Sequence, residues 1–303
     1  MAKDPWHCPR TALADQYLKT LGIGLSKSLV LFAQRRMGKT EFLRKDLLPA
    51  AEKAGYITIY VSLWESREDP QSVLLDAIRK AAEGEGIISG VRRWLGRPGS
   101  KIGVGANAST VGVQASWEQG TAEASERMLD LRQWMNTLAQ KKNPTLLLVD
   151  EIQTLADERR YGALVAALRS ALDKHGDQIK AVFTGSSSEG LRRMFQMEKA
   201  PFYQFSHQIP FPQLGPEFVQ HMLRAFANAT QRQLNEAEAW QAFTDLALVP
   251  EHFRLMMANM AQLGSTDIAA ALEEVKTAIQ NSAEYPSKWA ELTPIDQNMP
   301  LVP

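Results

Sequence analysis

The chain has 303 residues, enough for one large domain or two smaller ones. Hydrophobic residues make up 45% and charged residues 22%, as in ordinary globular proteins, and Lys plus Arg equal Asp plus Glu at 34 each. A formal net charge of zero argues against a surface built for non-specific nucleic-acid binding, while a local basic face stays compatible with it.

Cysteine content and the N-terminus indicate the compartment. Cys8 is the only cysteine, so no internal disulfide can form and a reducing environment fits. The N-terminus has no apolar signal core, and no stretch approaches a membrane span in length. The five histidines show no metal-ligand spacing. We therefore expect a cytoplasmic protein that does not associate with membranes.

The first predicted helix covers 10–22, and the apolar strand at Ser28–Phe32 then leads into a phosphate-binding loop. Ala33-Gln-Arg-Arg-Met-Gly-Lys-Thr40 has the Walker A spacing, with Ala33 where Gly is the stricter choice. Gly38 lets the backbone curl so that N–H groups form an anion nest at a helix start. Lys39 can neutralise phosphates, and the Thr40 hydroxyl can ligate Mg²⁺.

This loop favours a nucleoside triphosphate, ATP with Mg²⁺, as its ligand. The alternative is an ordinary strand–turn–helix with a fortuitous Gly-Lys-Thr. A preceding strand and a following helix favour the functional interpretation. The predicted nucleotide-binding residues are Gln34, Arg35, Arg36, Met37, Gly38, Lys39, Thr40 and Glu41.

The next stretch holds a divided helix, a strand and an insertion. Pro49 should divide the helix after the loop near Leu48, and a buried strand is predicted at 56–63. Asp69 followed by Pro70 opens a helix to about residue 82. Residues 84–120 are predicted to be an insertion with a hairpin. A Gly-rich match to a dinucleotide fingerprint at 103–108 is rejected, because alternating residues rather than a helix follow it.

Two carboxylates complete the predicted site. After a helix at 122–140, the strand at 145–149 runs directly into Asp150 and Glu151. The carboxyl ends of parallel strands share one sheet edge, where ligands bind. We therefore assign Asp150 to Mg²⁺ and Glu151 to orienting and polarising the attacking water. A helix cap on a structural strand end is the alternative for both.

The remaining chain changes from mixed to helical character. Strands are predicted at 179–184 and around 207–211, where Pro210 weakens the pattern. Helices are predicted to start at Pro216, after Asn235, at Pro250 and after Ser265. We divide the chain into a core at 1–215, a helical lid at 216–281 and an irregular tail at 282–303.

Several motifs together resemble the AAA-like P-loop ATPases, in the archaeal-type branch with Arg-Arg in the phosphate loop. They are Gln34-Arg-Arg-Met-Gly-Lys-Thr40, Tyr60-Val-Ser-Leu-Trp64, Val149-Asp-Glu-Ile-Gln153, Thr184-Gly-Ser186 and Pro201-Phe-Tyr203. The resemblance covers roughly residues 8–215. It implies an α/β P-loop core with a parallel five-stranded sheet in the order 5-1-4-3-2, followed by a small α-helical lid.

The resemblance also implies further site residues. Thr184 or Ser186 would sense the γ-phosphate, with an ordinary polar turn as the alternative. Arg254 would be a second sensing arginine, with a solvated helix residue as its alternative. Relatives often have Gly-Arg or Gly-Ala after the Pro-Phe-Tyr segment, but Gln204-Phe205 follows here, so no arginine finger can be assigned there. Arg192 and Arg193 are substitutes by proximity, and surface charges are the favoured interpretation.

The favoured function is Mg-dependent ATP hydrolysis that drives a conformational switch or motor, in a homo-oligomer or with a protein partner. One alternative is a nucleic-acid-associated ATPase of DNA replication, recombination or a mobile element. Its candidate contacts are Arg92, Arg93, Trp94, Arg97 and Lys101 in the insertion. Another is a nucleotide-gated signalling scaffold with little turnover. A small-molecule kinase is disfavoured, because Glu151 suits a water nucleophile.

Overall fold

The computed structural model describes residues 4–24, 26–84, 115–198, 200 and 202–281, and the chain divides into two compact units. The α/β unit comprises Pro9–Arg35 and Lys39–Pro212. The helical unit comprises the chain from Gln213, together with Arg36–Gly38 and a segment that ends at Cys8. The predicted hairpin, the rejected fingerprint and the tail at 282–303 lie outside the described residues.

Five parallel strands form the sheet of the α/β unit. They are β1 Ser28–Phe32, β2 Ile57–Ser62, β3 Thr145–Asp150, β4 Ile179–Gly185 and β5 His207–Pro210. Their order is β2-β3-β4-β1-β5, which confirms the order that the resemblance implies. The register sets Ser62 beside Asp150 and Leu31 beside Thr184. The carboxyl-terminal ends of neighbouring strands therefore lie side by side. Pro210 is tolerated because it is the last residue of β5, an edge strand.

Helices supply the partners of a sheet that is buried on both faces. They are α1 Thr11–Gly22, α2 Lys39–Phe42, α3 Leu48–Lys53, α4 Pro70–Glu83, α5 Ala115–Ala139, α6 Glu158–His175 and α7 Ser188–Phe195. Successive side chains of a strand point to opposite faces. Leu147 and Val149 of β3 pack in one cluster with residues of α4 to α7. Leu146 and Leu148 are equally buried, as expected for a strand covered on both sides.

Two helix boundaries differ in detail from the sequence-based expectation. Leu43–Leu47 form a π-helical segment, and Pro49 lies in the first turn of α3. The predicted division near Leu48 is confirmed, and it takes the form of a wider turn that accommodates the proline. Helix α5 begins at Ala115 rather than near 122. The sequence-based boundary assigns residues up to 120 to the insertion, whereas a glycine inside a long helix, here Gly120, costs only about 1 kcal/mol.

The helical unit contains α8 Pro216–Thr230, α9 Glu236–Asp245, α10 Pro250–Leu263 and α11 Ile268–Asn281. Its core combines phenylalanine rings with buried methionines, and Trp6 and Cys8 pack against it. The rings of Phe218 and Phe253 lie 5.0 and 5.2 Å from that of Phe243, centroid to centroid. Among the described residues, no helix is long and apolar enough to cross a membrane.

The start of α4 gives a test of local stability. The Asp69 carboxylate accepts a hydrogen bond from the backbone N–H of Ser72 at 3.2 Å, as an N-cap should. We expect Asp69→Ala to lower the free energy of unfolding by about 1 kcal/mol. Asp69→Asn keeps a capping oxygen and should stay close to the parent in urea denaturation. Equal losses in both variants would contradict the capping role.

Candidate functional site

The phosphate loop leaves β1 and enters α2 at Lys39. Arg36 and Gly38 both have positive φ, 67° and 82°. Left-handed residues beside right-handed ones are the geometry of an anion-binding nest. Gly38 adopts this conformation freely, whereas Arg36 carries a Cβ that makes it unfavourable. The surrounding structure therefore has to hold Arg36 in this conformation.

The Lys39 side chain is folded back onto its own loop. It is 6% exposed, and its Nζ donates to the carbonyl oxygens of Ala33 at 2.8 Å and Gln34 at 2.7 Å. Burial lowers the pKa of the ammonium, and the carboxylates of Glu151 and Asp150 oppose that shift. Lys39 is thus a partly desolvated cation that neutral carbonyls hold in place. Phosphate oxygens would give it stronger, charge-assisted bonds.

Asp150 is the last residue of β3 and accepts hydrogen bonds from several neighbouring elements. Its side chain is 2% exposed, and three hydroxyl groups from three parts of the fold donate to it. Thr40 Oγ1 lies 2.6 Å from Oδ2, Tyr60 Oη lies 3.4 Å from the same oxygen, and Thr184 Oγ1 donates to Oδ1. Burial, and then the charge of Asp150, raise the pKa of the Tyr60 hydroxyl, so it stays protonated and remains a donor.

Glu151 follows Asp150 directly but faces different partners. Its φ is 61°, which turns the chain into a short 3₁₀ segment at Ile152–Leu155. Glu151 Oε2 accepts from the backbone N–H of Ser186 at 3.2 Å and from its hydroxyl at 2.8 Å. Gln153 Nε2 donates to the same oxygen. The two adjacent carboxylates therefore have separate sets of donors.

Two of these contacts were not predicted from the sequence. Tyr60 on β2 reaches Asp150, and Gln153 reaches Glu151. Both residues lie in motifs that carry the family resemblance, but neither has a role among the predicted site residues. A signal for Tyr60 does exist, since it stands two positions before the end of the strand next to β3. Gln153, two residues after Glu151, had no such signal.

The oxygens at Asp150 fit a magnesium ion bound together with a nucleotide. Among the described residues, no three His, Cys, Asp or Glu side chains cluster so as to hold a metal. Mg²⁺ does not need such a cluster, because one or two carboxylates with substrate phosphates and water suffice. Thr40 and Asp150 offer one hydroxyl and one carboxylate 2.6 Å apart. The residues present thus match the requirement.

Comparisons with known proteins give the fold. No family model and no curated protein matches the chain. A Walker-type ATPase of Pyrococcus abyssi aligns at 17% identity with a TM-score of 0.59, over 94% of this chain and 80% of that one. The ORC2 protein of Aeropyrum pernix, in its ADPNP–ADP complexes, aligns at 16% identity and TM-score 0.55, over 93% and 69%. The chain has the fold of the AAA-like P-loop ATPases.

A third AAA-like structure extends the comparison. The ORC1 protein of Aeropyrum pernix, solved in complex with DNA, aligns at 16% identity with a TM-score of 0.52. The alignment covers 95% of this chain and 70% of that one. At these identities the similarity establishes the AAA-like fold, while the roles of individual residues depend on the geometry of this chain.

Within the AAA-like fold, the α/β unit brings together Lys39, Thr40, Asp150, Glu151 and the end of β4. Other predicted residues lie elsewhere or have other partners. Gln34 and Arg35 are exposed and Met37 is buried. Glu41 pairs with Lys45 of its own helical segment at 2.8 Å.

Four arginines lie or have contacts outside this cluster. Arg254 lies half-buried on α10. In the helical unit, Arg36 Nε lies 3.4 Å from Glu251 Oε1. Arg192 and Arg193 both pair with Glu189 of their own helix, at 2.9 and 3.0 Å. Those two pairs satisfy charges on one helix surface, in keeping with the favoured interpretation of both arginines.

Gly38 and Gly55 form a matched pair for testing the loop. Their φ values are 82° and 85°, and an added Cβ meets no atom within 4 Å at either position. Replacing either by alanine should cost about 1–2 kcal/mol of stability through the left-handed backbone. Only Gly38→Ala should also weaken binding of a fluorescent ATP analogue. Equal weakening in Gly55→Ala would show that the loss reflects stability and not the loop.

Proposed function

We propose that the chain binds ATP with Mg²⁺ and hydrolyses it, as the basis of a conformational switch or motor. The observation that carries this proposal is the pair of adjacent carboxylates beside the phosphate loop. Asp150 is bonded to Thr40 of the loop, and Glu151 is held separately by the end of β4. Phosphoryl transfer to water needs little beyond this, because positioning and charge neutralisation provide most of the catalysis.

Each residue of the site would have its own role in ATP hydrolysis. Lys39 exchanges the carbonyls of Ala33 and Gln34 for phosphate oxygens, which gives its buried charge an anionic partner. Thr40 and Asp150 would hold Mg²⁺, which when bound neutralises phosphate charge. Glu151 accepts a hydrogen bond from the attacking water and aligns it for in-line attack on the γ-phosphate.

The switch depends on the end of β4. Thr184 and Ser186 each bond one of the two carboxylates, so any ligand that competes for those hydroxyls also changes the restraints on Asp150 and Glu151. A γ-phosphate carries such acceptor oxygens. We propose that Thr184 and Ser186 respond to its presence, with Arg254 as a further sensing residue. Homo-oligomers or partner proteins would then use the resulting change.

Substitution of Glu151 tests hydrolysis directly. Glu151→Gln should keep ATP-analogue affinity near that of the parent but lower Mg-ATP turnover by about 10²-fold or more, the range for removing a positioned base. Glu158→Gln, on the exposed first turn of α6, is the matched control and should turn over normally. Steady-state phosphate release measures both. Parent-like turnover in Glu151→Gln would refute the assignment.

Lys39→Ala separates hydrolysis from scaffolding. Loss of nucleotide binding is expected, because no other buried cation of the described site contacts the loop carbonyls. A parent protein that binds ATP without turnover, and whose partner binding changes in Lys39→Ala, would favour the nucleotide-gated scaffold instead.

Nucleic-acid association is the second candidate, and an exposed aromatic ring in the α/β unit favours it. Trp64 is 40% exposed. The guanidinium groups of Arg67 and Arg35 lie 4.7 and 5.9 Å from its ring centroid. A ring flanked by arginines can stack on a base while the cations contact phosphates. The DNA complex of the AAA-like ORC1 protein adds support. The insertion residues proposed earlier as contacts lie outside the described residues.

The Trp64 surface is testable by titration of single-stranded DNA at low and moderate salt. We expect Trp64→Ala to weaken binding about tenfold, in the range measured for loss of one base–aromatic stack. Met197→Ala, another exposed apolar residue at 46% exposure, is the control and should bind like the parent. An absence of salt-sensitive binding in the parent would remove this candidate.

A further inference from the structure

The two oxygens of the Glu151 carboxylate have very different surroundings. All three donors, the backbone N–H and hydroxyl of Ser186 and the amide of Gln153, bond to Oε2. Oε1 takes none of these bonds, although the residue as a whole is only 8% exposed. One oxygen is thus anchored to the protein, and the other keeps its acceptor capacity for a water molecule.

The orientation of the Gln153 amide is fixed by its two ends. Nε2 donates to Glu151 Oε2, while Gln153 Oε1 is buried and has no hydrogen-bond partner among the described residues. Rotating the amide by 180° would place its oxygen against the carboxylate oxygen, two acceptors facing each other. The buried, unsatisfied Oε1 carries a free-energy cost, so the fold accepts an unfavourable contact in order to direct the amide N–H at Glu151.

Two glycines make the space that this amide occupies. A Cβ at Gly185, the last residue of β4, would overlap Gln153 Oε1. A Cβ at Gly190 would lie 2.6 Å from Gln153 Cβ and 2.9 Å from its Cγ. Neither glycine has positive φ. Backbone conformation therefore does not require glycine at either position, whereas the Gln153 side chain does.

We infer that Gln153 is a positioning residue for hydrolysis, which fixes Glu151 Oε2 so that Oε1 faces the attacking water. This inference rests on the proposed ATPase function. A glutamate has three rotatable side-chain bonds, and a base that samples several rotamers aligns water only part of the time. Hydrogen-bond donors on one oxygen restrict the Glu151 side chain to one rotamer before substrate binds. Catalytic groups work faster when neighbouring residues hold them in the reactive geometry in this way. In this role Gln153 acts through Glu151 and not directly on water or phosphate.

Gln153→Met and Gln153→Ala test this role. Met fills the space between the glycines but offers no donor, so it separates the hydrogen bond from side-chain volume. Both variants should lower kcat about tenfold, the effect expected for losing one hydrogen bond to a charged group. KM and the Kd of an ATP analogue should stay within about twofold, since the inferred role of Gln153 is exerted through Glu151. Gln178→Ala is the control: its amide donates one bond, to Lys141 O, and should leave kcat unchanged.

A double-mutant cycle with Gly185→Ala adds a readout that a purely structural role would not move. Gly185→Ala alone should lower kcat by displacing the Gln153 amide. In the Gln153→Ala background the overlapping oxygen is gone, so Gly185→Ala should cause little further loss of kcat. The added methyl also approaches Leu191 Cδ2 at 2.9 Å, but this contact is common to both backgrounds and cancels in the cycle.

The outcomes separate this inference from the ATPase proposal. If the parent hydrolyses ATP and Glu151→Gln abolishes turnover, while Gln153→Met retains parental kcat, the positioning role is wrong and the ATPase proposal stands. Additive kcat losses in the cycle would overturn the role in the same way. If the parent shows no turnover with Mg-ATP, both the ATPase proposal and the role of Gln153 are overturned.

Discussion

A buried carboxylate is the constraint on which the site depends. Asp150 is almost completely removed from water, and an unpaired charge in that position would cost several kcal/mol. Hydroxyls from the helix after the phosphate loop, from β2 and from β4 share the task of solvating it. They reach it only because parallel strands in this order bring their ends to one edge. The hydrogen bonding of Asp150 therefore depends on the sheet topology.

The left-handed backbone at Glu151 lets two neighbouring residues do different chemistry. In a regular strand, consecutive side chains point to opposite faces. At φ 61° the chain turns instead, and the carboxylate meets the end of β4. Left-handed geometry costs about 1–2 kcal/mol at a non-glycine residue. Three hydrogen bonds to a charged oxygen offset that cost. The left-handed conformation brings Glu151 to these donors, and the bonds in turn stabilise the conformation.

The sequence predicted the strands and the meeting of Thr40 with Asp150, because each has a local signature: apolar runs, a fixed loop spacing and an acidic strand end. The strand order followed from the family resemblance and not from a local pattern. Gln153 was missed as a site residue because its side-chain bond to Glu151, two residues away, leaves no periodic pattern. Tyr60 was missed although its position near the end of β2 gave a signal. Ser186 and Thr184 were treated as alternatives for one role, and only the geometry shows them on different carboxylates. The early start of α5 was missed because the residues up to 120 were assigned to the insertion.

The buried methionines of the helical unit allow its opening to be measured by their rate of oxidation. Met222, Met256, Met257 and Met260 are at most 1% exposed, whereas Met197 of the α/β unit is 46% exposed. Peroxide converts an accessible thioether to a polar sulfoxide, and a buried one must wait until its surroundings open. Met197 therefore reports the chemical rate in every sample. The ratio of the oxidation rates of the four buried methionines to that of Met197 measures how often the helical unit opens, and no label has to be introduced.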